Sequence, residues 1–308
     1  MSVSRILVTG GAGFIASHLV DALVGEGHEV AIIDNLSTGK EANVNPAATL
    51  NVVDIRDAVA TAKAIEDFRP EIIHHLAAQA SVVVSTEDPA LDAQTNIIGS
   101  LNVLVPFRKI GGRRFISTSS GGAVYGDPAE LPVKESAPGA PICPYGVSKY
   151  AFEVYLRAAH AESGLDFVIM RYSNVYGPRQ DPHGEAGVIA IFTSLLMAGK
   201  EPHIFGDGEA TRDYIHVSDI VAANMAAMDA PAQSIFNVGT GVATSVNELT
   251  AALVKATGYD GEIIHDPARP GEVRHTYLDC TRLRETTGWA PKYEITEGIQ
   301  NTVDWFRE

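Results

Sequence analysis

Tyr145 and Lys149 stand four residues apart at the head of the stretch Tyr145 to Ser163, so a helix there projects both side chains from one face. A free phenol titrates near ~10, and a neighbouring ammonium together with a cationic nicotinamide ring would favour its ionised form, which makes such a tyrosine a usable base near neutrality. A short apolar run upstream ends in Ser117-Thr118-Ser119-Ser120-Gly121-Gly122 and sets several hydroxyls at one strand end. Hydroxyls in that position also form turns, so Ser120 depends on its company for a chemical role. Cys143, two residues before the tyrosine, reads as a small buried residue in a proline-flanked turn.

The second constellation is Thr9-Gly10-Gly11-Ala12-Gly13-Phe14-Ile15-Ala16, placed between a strand pattern and an amphipathic helix. Gly10 and Gly13 let backbone N–H groups approach a pyrophosphate, and the helix that opens at Phe14 and Ile15 turns its N-terminus toward the anion. Asp34 closes the second strand about 20 residues further on, as a ribose-binding carboxylate should. It favours NAD over NADP, because a 2′-phosphate would meet like charge and residues 35 to 39 contain no Arg. Asn35, Thr38 and Gly39 follow it in the cofactor-binding loop, and Asp54 and Ile55 are candidates for the adenine; Asp57 reads as an ordinary helix cap. The cationic nicotinamide of such a cofactor would further favour a Tyr145 phenolate.

These groups need a scaffold. Val- and Ile-rich runs at Arg5 to Thr9, Glu29 to Asp34, Leu50 to Val53, Glu71 to Leu76, Arg113 to Ser117 and Asp166 to Arg171 alternate with helical patterns, for example Ile15, Leu19, Ala22, Leu23. That order predicts an α/β fold with a Rossmann-type, doubly wound parallel sheet. After Gly177 the alternation loosens and Gly, Pro and His accumulate, so residues 1–177 are read as the dinucleotide-binding domain and 178–308 as a smaller C-terminal lobe. A segment near 213–238 is expected to return to the first domain.

Composition narrows the classes further. The 308 residues are 45% hydrophobic, enough for a real core, and carry a net charge of −15, which repels nucleic acid and anionic membrane surfaces. No apolar run reaches the ~20 residues of a membrane span. Two cysteines, Cys143 and Cys280, make no disulfide framework and point to a reducing, cytoplasmic setting. Ten histidines without an H-x-x-x-H pair predict no metal site.

Across nearly its whole length the chain resembles the extended short-chain dehydrogenase/reductases, and within them the UDP-glucose (UDP-galactose) 4-epimerases. The motifs are T-G-G-A-G-F-I from Thr9, D-N-L-S-T-G from Asp34, H-L-A-A-Q from His75, Y-G-V-S-K from Tyr145, R-Y-S-N-V-Y-G-P-R-Q from Arg171, R-D-Y-I-H-V from Arg212 and R-P-G-E from Arg269. The resemblance implies Ser120, Tyr145 and Lys149 as the catalytic group, with Ser119 as the alternative hydroxyl. It implies that Leu76, Ala77, Ala78 and Asn96 help hold NAD and that Tyr172 lies beside the nicotinamide. For the UDP-sugar it implies Ser119, Asn174, the Gly187-Val188 backbone, Phe205, Arg212, Arg269 and Glu272, and a gate at Thr276, where Thr replaces the bulky residue common in such epimerases. The implied activity is a 4-epimerase working through a 4-keto sugar, and the implied assembly is a homodimer through the helices near Asp88 to Lys109 and Tyr145 to Ser163. A nucleotide-sugar 4,6-dehydratase would normally carry an acidic pair where Gly121-Gly122 stand. A non-enzymatic NAD-binding protein would not need Tyr145, Lys149 and the arginines together.

Overall fold

The computed structural model describes residues 3–183, 187–268 and 273–308. Six strands come first along the chain: β1 (Arg5–Thr9), β2 (Glu29–Asp34), β3 (Thr49–Val52), β4 (Ile72–His75), β5 (Arg114–Ser120) and β6 (Asp166–Tyr172). Eight more strands follow: β7 (Asn174–Tyr176), β8 (His203–Phe205), β9 (Thr211–Arg212), β10 (Tyr214–His216), β11 (Ser234–Val238), β12 (Thr244–Ser245), β13 (Ile264–Asp266) and β14 (His275–Thr276). The main sheet runs β3-β2-β1-β4-β5-β6-β11, with every pairing parallel. Its order reverses between β1 and β4, and at such a crevice parallel sheets bind their ligands.

Side-chain alternation explains why the sheet is covered twice. Ile6, Val8, Val30, Ile32, Val168 and Met170 enter one core, closed by the helices Phe14–Gly25 and Val217–Ala227. Leu7, Ala31, Ile33, Phe115, Phe167 and Ile169 enter the other, closed by Ala58–Phe68, Ser100–Lys109 and Pro144–Ser163. A third core joins Ile189, Phe192 and Leu196 to Leu249, Leu253, Ile299 and Val303, from three helices outside the sheet. The chain leaves the sheet after β6, pairs β7 with β10, and comes back as β11 along the edge of β6.

One boundary departs from the expected pattern. β5 continues past Ser117 to Ser120, because its register with β6 persists to the Ser120–Tyr172 pair. Alternation then gives Ser119 and Ser120 opposite faces of the strand. Asp57 caps its helix, accepting from the Val59 and Ala60 N–H groups at 3.0 Å each.

Candidate active site

A cleft of about 1030 Å3 runs along the carboxyl edge of the main sheet from Asp54 to Asn174. At one end β1 turns into the first helix through Gly10, which has φ 73; a Cβ there would lie 2.9 Å from the Ala77 nitrogen, so only glycine lets the turn approach the β4 loop. The helix starts at Phe14 with no side-chain cap and no acidic residue in its first turn, leaving its N–H groups open. Asp34 is buried and accepts from Ala12 N at 2.9 Å and Leu36 N at 2.8 Å. Gly39 lies directly behind that carboxylate, close enough that a methyl group would sit 2.9 Å from both oxygens.

Gly13, Phe14, Ile15, Asn35, Thr38, Asp54, Ile55, Leu76, Ala77 and Ala78 line this end of the cleft. Gly39 and Asn96 do not; they hold other parts in place. Asn96 sits in a π-helical segment, Gln94–Gly99, bonds Gln79 in both directions and donates to Ser148 Oγ, so it ties the β4 loop to the helix that carries Tyr145. Asn35 donates to Asp54, and Arg56, which sequence reasoning passed over, clamps the same carboxylate at 2.6 Å and holds it well below the usual range. Arg56 also lines the cleft.

At the other end Ser120, Tyr145 and Lys149 meet. Burial pushes the Tyr145 hydroxyl up to about 12, a hydrogen bond with Ser120 opposes it, and Asp92 and Cys143 add to the rise. Burial pulls Lys149 down to about 8, against Asp92 and Glu153. Its Nζ donates to the Thr118 carbonyl at 3.0 Å and lies 6.0 Å from the Tyr145 ring centre. In the chain without its cofactor desolvation therefore dominates, and of the two positive charges expected to favour the phenolate only the Lys149 ammonium is on this chain.

The neighbouring hydroxyl has a different duty. Ser119 Oγ donates to Glu153 Oε1 at 2.6 Å, and Glu153 also receives the buried Arg171, whose Nη1 reaches Tyr125 at 2.8 Å. Glu153 stands four residues beyond Lys149 on the same helix face, a signal the sequence carried and the motif reading missed. Tyr172 lines the cleft and bonds Thr118 and Asn224 through its hydroxyl. Thr118 is a third omission.

Beyond β6 the cleft reaches Ser173, Asn174 and Gly187. Asn174 donates to the Asp213 carbonyl at 3.2 Å, and Gly187 precedes the helix Val188–Met197. Val188, Phe205, Arg212 and Thr276 are not among the lining residues. Phe205 is half-exposed on β8; Arg212 on β9 donates to the Thr211 and Arg274 carbonyls; Thr276 on β14 is buried and lies opposite Arg212 in the ladder. Arg269 and Glu272 lie outside the described residues. No group of three His, Cys, Asp or Glu residues is arranged for a metal among the described residues.

Residues 6–239 match the NAD dependent epimerase/dehydratase family. The chain is 46% identical over 309 residues to a UDP-glucose 4-epimerase of Mycolicibacterium smegmatis, covering 98% of each. Among solved structures, a Thermotoga maritima UDP-glucose 4-epimerase with UDP-glucose superposes at TM-score 0.97 with 49% identity, covering 98% of both chains. A Thermus thermophilus UDP-glucose 4-epimerase in complex with NAD superposes at 0.94 with 44% identity, covering 98% of this chain and 99% of that one.

Proposed function

We infer that this chain, which belongs to the NAD dependent epimerase/dehydratase family, is a UDP-hexose 4-epimerase that interconverts UDP-glucose and UDP-galactose and uses NAD. The observation that carries the reading is one cleft holding both the Gly10–Asp34 cradle and the Ser120–Tyr145–Lys149 group. No carboxylate follows Ser120, where a dehydratase would need one, and Glu153 is spent on Ser119 and Arg171. The residues fit NAD: Gly10 clears the turn, the helix start offers unpaired N–H groups, and Asp34 keeps lone pairs free for ribose hydroxyls.

When bound, NAD supplies a hydride acceptor that later returns the hydride. Tyr145, as phenolate, takes the proton of the sugar 4-hydroxyl, and Ser120 holds that hydroxyl in line. Lys149 contributes positive charge 6.0 Å from the phenol ring centre, and the cationic ring of the cofactor would add the rest against burial. Asn174, the Gly187-Val188 backbone and Arg212 are proposed to anchor the diphosphate and Phe205 the uracil. A sugar held more loosely than its diphosphate can present its other face, and Tyr145 then returns the proton to the opposite epimer.

Purified protein incubated with UDP-glucose, without added cofactor beyond what it binds, should form UDP-galactose. A 4-keto-6-deoxy sugar would instead assign it to the dehydratases. A wider substrate range, including UDP-N-acetylglucosamine or UDP-glucuronate, is proposed from the small Thr276 beside Arg212. Thr276→Tyr should then lower kcat/KM selectively on the larger sugars; an equal effect on all three substrates removes the gate.

The proposed assembly is a homodimer. Ile98, Val105, Val147, Val154 and Tyr155 are exposed on the segments 94–109 and 144–163, an apolar surface that a second copy would cover. No helix among the described residues is long and apolar enough to cross a membrane. Two unpaired cysteines support a reducing, cytoplasmic setting.

A further inference from the structure

Three contacts bring the segment 178–181 across the mouth of the cleft onto the glycine-turn helix and the loop after β2. The Pro178 carbonyl meets His18 Nε2 at 2.9 Å, Arg179 pairs with Asp21 at 2.8 Å, and Asp181 pairs with Lys40 at 2.9 Å. All three tethers belong to residues 18–40, the part of the chain that cradles a dinucleotide, and none to the lobe that carries Phe205 and Arg212. Arg179 itself has φ 67, a left-handed conformation uncommon outside glycine. Its Nη2 is taken by Asp21, while Nη1 is buried without a hydrogen-bond partner among the described residues, and the side chain lines the cleft together with Gly13, Phe14 and Ile15.

A buried guanidinium donor without an acceptor is costly, and strained backbone is retained where a ligand repays it. The ligand chemistry that matches a planar, permanently charged fork beside an uncapped helix start is a phosphate ester. We propose that Arg179 is a pyrophosphate ligand for the dinucleotide, carried on a clasp, residues 178–181, that slows release of the cofactor. The inference rests on the NAD reading above and adds a retention device to it. An epimerase regenerates its cofactor at every turnover, so slow release costs it nothing.

The clasp contributions are unequal. Lys40 and Asp181 are both well exposed, so that pair is worth little, whereas Arg179 would make a charge-assisted bond out of bulk water. The test uses the full-length protein with its bound cofactor and compares parent, Arg179→Ala, Arg179→Lys and Asp181→Ala. Three readouts are taken: NAD extracted per protein, the rate of NAD release after removal of free cofactor, and the Kd for UDP by calorimetry. Arg179→Ala should release NAD about 30-fold faster, and Asp181→Ala no more than about threefold faster, with UDP affinity within about twofold of the parent. Arg179→Lys should fall between, since it keeps the charge and loses the fork; it also carries the test if the alanine variant does not melt cooperatively. NAD release from the arginine variants at the parental rate overturns the clasp. Lost UDP affinity with unchanged NAD release also overturns it and reassigns Arg179 to the sugar nucleotide's diphosphate. A parent that binds no NAD overturns the functional reading together with the clasp, so the two failures are separate.

Discussion

A single hydroxyl separates support from chemistry at the catalytic strand. Ser119 spends its proton on Glu153, whereas Ser120 bonds Tyr145 on the cleft side, and one residue of register makes the difference. Ser119→Ala should therefore lower stability by about 1–3 kcal/mol in denaturant titration, by stripping a donor from a buried carboxylate, and leave Ser120 to act. Ser120→Ala should do the reverse, lowering kcat with little change in midpoint; a larger kcat loss in Ser119→Ala would exchange the two assignments. Tyr145→Phe should lower kcat about 10²–10⁴-fold while NAD content and UDP affinity stay near parental values. With burial holding the phenol at about 12, the cofactor-free protein should show no tyrosinate absorption at pH 8. Loading with oxidised NAD, whose ring is cationic, should raise a tyrosinate difference band that Tyr145→Phe abolishes. The motif residues were legible because their types and spacings are chemically demanding. The roles of Glu153 and Thr118 were not, since Glu153 answers Ser119 and Arg171 and Thr118 answers Lys149 and Tyr172, partners that only the fold brings together.

At the level of elements, β4 shows what a strand read as apolar can conceal. His74 and His75 end it, both fully buried, and burial takes each imidazole from 6.5 down to about 3. His75 is held by Thr9 and Ser100 at 2.8 Å each, and Thr9 in turn receives the Leu76 and Ala77 N–H groups, so the ring braces the turn that carries Gly10. In the unfolded chain these rings take up protons at about 6.5, but in the fold only near 3, so the unfolded state binds more protons throughout that window. Stability is complete above pH 6.5 and falls on acidification, by about 1.4 kcal/mol per pH unit for each ring. Urea midpoints measured between pH 7 and 4.5 should show this slope, and His74→Leu should make it shallower by one ring's share. A slope unchanged in that variant would remove His74 from the account. The strand itself was readable from its apolar run; the protonation behaviour was not, because it comes from the depth of burial in a sheet covered on both faces.

For the whole molecule, alternating strands and helices made the parallel sheet legible, and Asp34 made its binding edge legible. The small lobe was visible only as a loss of that rhythm, since its strands are two or three residues long and are paired across distant sequence. Exposed Val154 and Tyr155 on the helix Pro144–Ser163 should be covered in solution: light scattering at micromolar concentration should give twice the chain mass, and Tyr155→Glu should halve it. A parental monomer would dissolve that assembly. The late arrival of β11 at the edge of β6 has a consequence for biosynthesis. Until Ser234–Val238 leaves the ribosome, the nascent sheet ends in an unpaired β6, and the helix Val217–Ala227 is not yet there to cover Val168 and Met170. At about 5–20 residues/s the gap lasts several seconds, with an adhesive strand edge open to other chains. Translation arrested once β6 has left the ribosome but before Ser234 has should therefore yield a chaperone-bound, protease-sensitive chain, and arrest well beyond Val238 a resistant one.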